Sequence, residues 1–85
     1  MGTMLHHEDV FDRGLVALSR REREVLEMAA LGLTNREMAG RLSLSVHAVK
    51  FHLAGVYRKL GVSNRTEAAV VYIRTASSSA ESGAD

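Results

Sequence analysis

The sequence predicts an all-α domain of four short helices, and three observations carry that prediction. Apolar residues recur at spacings of three and four along the middle of the chain. Ser19, Thr34 and Asn64 each stand three residues before a glutamate, the pattern in which a cap side chain and a carboxylate satisfy each other's orphan backbone donors. Gly32 and Gly61 close two of the apolar stretches, where a left-handed residue can end a helix.

Each element follows from these signals. The first helix starts after Ser19-x-x-Glu22, turns Val25, Leu26 and Ala29 inward, and stops at Gly32. The second opens at Thr34-x-x-Glu37, with Leu33 set to meet Met38 as a hydrophobic staple and Met38, Ala39 and Leu42 facing inward. Only Ser43-Leu44-Ser45 separates it from the third. There Ser45 is a good N-cap and Leu44 can staple onto Val49. The third helix runs to Leu60 before Gly61, with Val49, Leu53, Val56 and Leu60 as its buried stripe. The fourth begins near Asn64-x-x-Glu67 and carries Ala68 through Ile73. Two short helices joined by a three-residue turn outline a helix-turn-helix. The domain is placed at residues 18–76. Residues 1–17 are read as a linker or a short helix through Val10, Phe11, Leu15 and Val16, and residues 77–85 as a disordered polar tail.

Composition narrows the function. At 85 residues and 46% apolar, the chain supports one small globular domain with a thin core. Without cysteine there is no disulfide framework, thiolate nucleophile or zinc-finger pattern. No basic start precedes an apolar run, so a soluble cytoplasmic protein is expected. The net charge of +1 hides a division: residues 18–76 carry ten Lys/Arg against five acids, while the flanks carry one Arg against five acids. Between Glu37 and Glu67 there is no acid, yet Arg41, Lys50, Arg58, Lys59 and Arg65 fall there. Single-sign charge on ordered structure often faces a polyanion, although a solvated basic face gives the same pattern.

A wheel of the third helix with Val49 inward puts His47, Lys50, Phe51, Ala54, Gly55 and Arg58 outward. That face has no acid, an exposed aromatic, and a glycine that costs about 1 kcal/mol in a helix interior. Close approach to another surface would explain it, whether that surface is a groove or a neighbouring helix. A DNA major groove suits the face. Lys50 can donate to guanine, Phe51 can touch a thymine methyl, and Arg58 and Lys59 can reach phosphates. The free N–H groups at Ser45 can also hold a phosphate.

These residues resemble the LuxR/GerE-type helix-turn-helix, also named for the FixJ and NarL response regulators. The resemblance runs from Leu18 to Ala76. It is most specific at Arg21-Glu22 with Val25-Leu26, Gly32-Leu33-Thr34-Asn35, Glu37-Met38-Ala39, and Ser45 with Val49-Lys50 and His52. Further on it includes Lys59-Leu60-Gly61-Val62 and Arg65-Thr66-Glu67-Ala68. It implies four helices, of which the second and third form the DNA-reading unit and the fourth serves as a dimer contact. Carried across, base contacts fall on Lys50, Phe51 and Ala54, with His47 beside them. Phosphate contacts fall on Ser45, Ala48, Arg58, Lys59 and Thr34. Ala48 lacks the hydroxyl of the family's usual threonine, and Ala54 is short where some members carry a long polar group. Phe51 is bulkier than the family's common Val or Thr, which favours thymine-rich sites. His52 is read as a partly buried ring near the first helix.

The fourth helix has six consecutive apolar residues, Ala68 to Ile73, twice what one core stripe needs. The surplus, together with the resemblance, points to a homodimer on DNA with Ala68, Val70, Val71 and Arg74 as contacts. The implied partners are double-stranded DNA and RNA polymerase, in the bacterial nucleoid, with no cofactor, membrane or small-molecule ligand. His6 and His7 beside Glu8 and Asp9 hint at metal, but adjacent side chains seldom converge on one ion, and no metal is expected. An enzyme is excluded by the lack of cysteine, of a glycine-rich phosphate loop and of a catalytic constellation. The alternative is a protein-interaction adaptor that keeps the helix-turn-helix and binds through Phe51 and the fourth helix. Region four of a sigma factor shares the opening, but Thr34-Asn35 and residues 61–68 fit it less well. The 17 leading residues are too few for a sensing domain, so a stand-alone regulator or the C-terminal piece of a larger one is expected.

Overall fold

In the structure, a computed structural model, residues 14, 15 and 17–84 are described, with side chains described through Ala76. Four helices follow in order, α1 (Arg20–Ala30), α2 (Asn35–Leu42), α3 (Val46–Leu60) and α4 (Arg65–Ala84), and the described residues include no strand. Gly14, Leu15 and Ala17 also hold helical backbone. The chain is all-α, as its sequence predicts.

The caps form as spaced. Ser19 Oγ accepts from the Glu22 amide at 3.1 Å while Glu22 Oε1 accepts from the Ser19 amide at 2.8 Å. Thr34 and Glu37 repeat the exchange at 3.1 and 2.8 Å. Ser45 Oγ caps α3 through the Ala48 amide at 3.0 Å. At α4 the exchange is staggered by one residue. Asn64 Oδ1 accepts from the Glu67 amide, whereas the Glu67 carboxylate reaches the Ser63 amide at 2.7 Å. Gly61 ends α3 with φ +71°, and Gly32 turns the chain after α1 with φ +94°. α2 ends without a glycine. Ser43 takes the left-handed conformation itself (φ +57°), and the Ser43 and Leu44 amides both return to the Ala39 carbonyl.

The core gathers the predicted stripes. Val25, Leu26 and Ala29 of α1 meet Met38 and Ala39 of α2, Val49, Leu53, Val56 and Leu60 of α3, and Ala68 and Val71 of α4. Leu18, ahead of α1, joins them, and Leu33, Leu42 and Leu44 pack half-buried at the margin. Each fully buried Leu or Val contributes about 1.5–3 kcal/mol by leaving water, so a few such side chains decide whether a domain this small folds.

Two expectations change here. Ala68 and Val71 lie inside the core, because the α4 stripe that packs on α1 and α3 runs through them. That leaves Val70 and Arg74 of the dimer candidates on the surface, joined by half-exposed Ile73. The backbone of residues 77–84 continues α4 as helix where composition predicts a disordered tail. No proline or left-handed glycine interrupts that stretch, so a helix already nucleated by packing at its start propagates. Of the leading segment, Leu15 packs half-buried against the core, while Val10, Phe11, Val16 and the His6-His7-Glu8-Asp9 group lie outside the described residues.

Candidate nucleic-acid interface

The short left-handed turn at Ser43 swings the chain from α2 directly into α3, and Val49, Leu53, Val56 and Leu60 seat α3 in the core. Its opposite side is thereby forced outward. His47, Lys50, Phe51, Ala54 and Arg58 are all exposed, at positions i, i+3, i+4, i+7 and i+11 of one helical face. Phe51 keeps 72% of its surface open, an unusual state for phenylalanine, and its ring meets the half-buried His52 ring edge-on with centroids 5.6 Å apart. The face has two strong cations and no acid, and α3 has no acid in its first turn. This face brings together every base-contact candidate.

The phosphate candidates divide. Ser45 and Thr34 are exposed at the N-termini of α3 and α2, each with its oxygen accepting from the helix amide it caps, so the hydroxyl hydrogen stays free to donate. Ala48 is half-buried behind Ser45, and Arg58 is exposed. Lys59 is engaged within the fold. Its Nζ donates to Glu22 Oε1 at 2.7 Å and to the Ala17 carbonyl at 3.3 Å, bridging α3 to α1 and the leading segment. The reason is geometric: Lys59 lies on the flank of α3 that α1 covers, one residue round from outward-facing Arg58.

Gly55, which the wheel puts outward, also faces into the fold. It is buried, and a Cβ there would run into the Glu22 carboxylate. The close approach at Gly55 is thus to the Glu22 side chain of α1, within the fold. Burial by itself would raise the Glu22 pKa. Hydrogen bonds from Lys59 and the Ser19 amide, with the Lys59 charge, outweigh that and hold the carboxyl below its ordinary value of 4.5. Sequence reasoning also passed over Arg36, a further exposed cation on α2; its place opposite buried Met38 was the available signal. Among the described residues no group of His, Asp or Glu could hold a metal ion, and no helix is long and apolar enough to cross a membrane.

Comparison with known proteins shows the family. Residues 16–72 match the family model of bacterial regulatory proteins of the luxR family. The HTH-type transcriptional regulator YhjB of Escherichia coli (strain K12) is 46% identical over 59 residues, covering 69% of this chain and 30% of YhjB. The transcriptional regulatory protein LiaR of Bacillus subtilis (strain 168) is 43% identical over 54 residues, 64% of this chain and 26% of LiaR. The transcriptional activator protein RaiR of Rhizobium etli is 49% identical over 53 residues, 62% of this chain and 22% of RaiR. The chain therefore spans less than a third of the length of these relatives. No solved structure is a match. These relatives are transcription regulators and not enzymes, and the chain belongs to the LuxR family as its helix-turn-helix domain.

Proposed function

We propose that this domain binds promoter DNA sequence-specifically, with α3 lying in the major groove as the reading helix. One observation carries the reading: the open side of α3 joins Lys50, Phe51, His47 and Arg58 on a single acid-free face. Lys50 donates to guanine O6 or N7, and Phe51 lays its ring against the C5-methyl of a thymine. Ala54 leaves room for the base pair beside Phe51. Arg58 holds phosphate farther along the helix, and the amide ends of α2 and α3, with Thr34 and Ser45, hold it on the other side. Exposed Arg36 and Arg41 on α2 add to the same field.

The protein works as a two-fold dimer on DNA, each copy reading one half-site. Val70, Ile73 and Arg74 on the open side of α4 make the contact, and the half-sites lie about one helical turn apart. The same reading extends to regulation of transcription with RNA polymerase as the downstream partner, and membership of a family of transcription regulators supports it. The test is selection of duplexes from a randomised pool, followed by anisotropy titration of the winners and of random DNA. Lys50→Ala and Phe51→Ala are expected to lose preference for the winners, Lys50→Ala by about 1–3 kcal/mol. Preference left intact in both variants removes the reading role of α3.

A further inference from the structure

One ridge of α3 runs from its reading face to the flank that α1 covers. Phe51, Gly55 and Lys59 are spaced by four and form one ridge of the helix. Phe51 stands open at one end of it. Gly55, one turn on, leaves the gap into which the Glu22 carboxylate of α1 fits. Lys59, one turn further, closes over that carboxylate at 2.7 Å, with its side chain only 31% exposed and that of Glu22 10%. The same Glu22 oxygen accepts the Ser19 amide that starts α1. The leading segment reaches this point as well. Ala17 offers its carbonyl to Lys59, and Gly14 sits so close to the Lys59 carbonyl that a Cβ there would collide with it.

Resting on the DNA-reading assignment, we propose that Lys59 is a positioning residue that acts through Glu22, not a phosphate contact. The Glu22–Lys59 pair, admitted by Gly55, fixes the angle at which α3 crosses α1 and hence the depth at which Lys50 and Phe51 enter the groove. The pair is suited to this because both side chains are largely covered: without Lys59 the Glu22 carboxylate loses the charge that offsets its burial, and the close approach of α1 to α3 at Gly55 loosens. Gly14 and Ala17 touch the same lock.

The two roles for Lys59 differ in a readout that stability alone does not move. A phosphate contact supplies charge to every sequence, so its loss lowers the log–log salt slope by about 0.9 and weakens selected and random duplexes alike. A positioning residue supplies geometry, so its loss leaves the slope and lowers the preference for selected DNA. Anisotropy titrations at several salt concentrations, with pool-selected and random duplexes as probes, are run on the wild type, Lys59→Met, Lys59→Arg and Gly55→Ala, each checked for fold by circular dichroism. The expected result is an unchanged slope and a preference lowered about tenfold in Lys59→Met. Lys59→Arg is expected to restore the preference. Gly55→Ala, which removes no charge, is expected to lose it as Lys59→Met does, and it carries the test if Lys59→Met does not fold. A slope lower by about one with preference intact in Lys59→Met, or full preference in Gly55→Ala, overturns the proposal. A wild type that binds neither duplex overturns the DNA reading beneath it.

Discussion

At the scale of single residues, the informative feature is how differently two neighbours on one helix are used. Arg58 stays in solvent, while Lys59 is bound to Glu22 and Ala17. The Glu22 carboxyl is held below its ordinary pKa, so the stability it contributes is complete above about pH 4.5 and is lost as pH falls through its lower folded value. Thermal melts at graded pH should therefore show the wild type exceeding Glu22→Gln at neutral pH, with the difference shrinking in the acid range. A difference that grows toward acid contradicts the assigned sign. Phe51 makes a separate expectation. A thymine methyl packed on its ring is worth about 0.8 kcal/mol, so replacing the contacted thymine by deoxyuridine should weaken binding about fourfold. In Phe51→Ala the same replacement should have no effect. These roles were unequally legible. The exposure of Phe51 follows from its place opposite Val49 on the wheel, whereas the burial of Gly55 and the capture of Lys59 depend on a partner 37 residues away. No local pattern gives the flank of α3 that α1 covers.

At the scale of elements, helix starts and stops were legible because they are local. Ser19, Thr34, Ser45 and Asn64 each cap the helix their spacing assigns. The end of α2 was less so, since Ser43 adopts a left-handed conformation that its residue type does not advertise. The end of α4 was missed, because a polar tail and a solvent-exposed helix share a composition. α2 offers a clean stability test. Gly40 is in mid-helix, exposed, and a Cβ there meets nothing within 4 Å. Gly40→Ala should therefore stabilise the domain by about 0.5–1 kcal/mol, raising the midpoint of thermal unfolding by several degrees. An unchanged or lower midpoint contradicts the open surroundings of that position. In the core, Leu26→Ala is expected to cost about 2–5 kcal/mol, enough to unfold much of a domain this size in a denaturant titration.

At the scale of the whole molecule, the four helices α1 to α4 of the described residues do two jobs. α1 and the core-facing stripe of α4 form a scaffold, and α2 and α3 are the part it holds out. Sequence made the division of α3 plain, with its buried stripe on one side and cations on the other. It left α4 ambiguous, because six consecutive apolar residues do not declare which of them the monomer itself consumes. Burial of Ala68 and Val71 settles that portion and leaves Val70 and Ile73 as the surplus. Sedimentation with and without a selected two-half-site duplex should show two copies on the DNA, and Val70→Glu should reduce that to one. Two copies bound by the variant would remove α4 from the contact. The central claim is that an acid-free face of α3 engages the phosphates and bases of a duplex. Its most direct measurement is the salt dependence of duplex affinity for the wild-type chain. The account expects a straight fall of log affinity with log salt, with a slope of about 0.9 per phosphate neutralised and shallower in Arg58→Ala. Affinity that ignores salt, or no duplex binding at low salt, would contradict it.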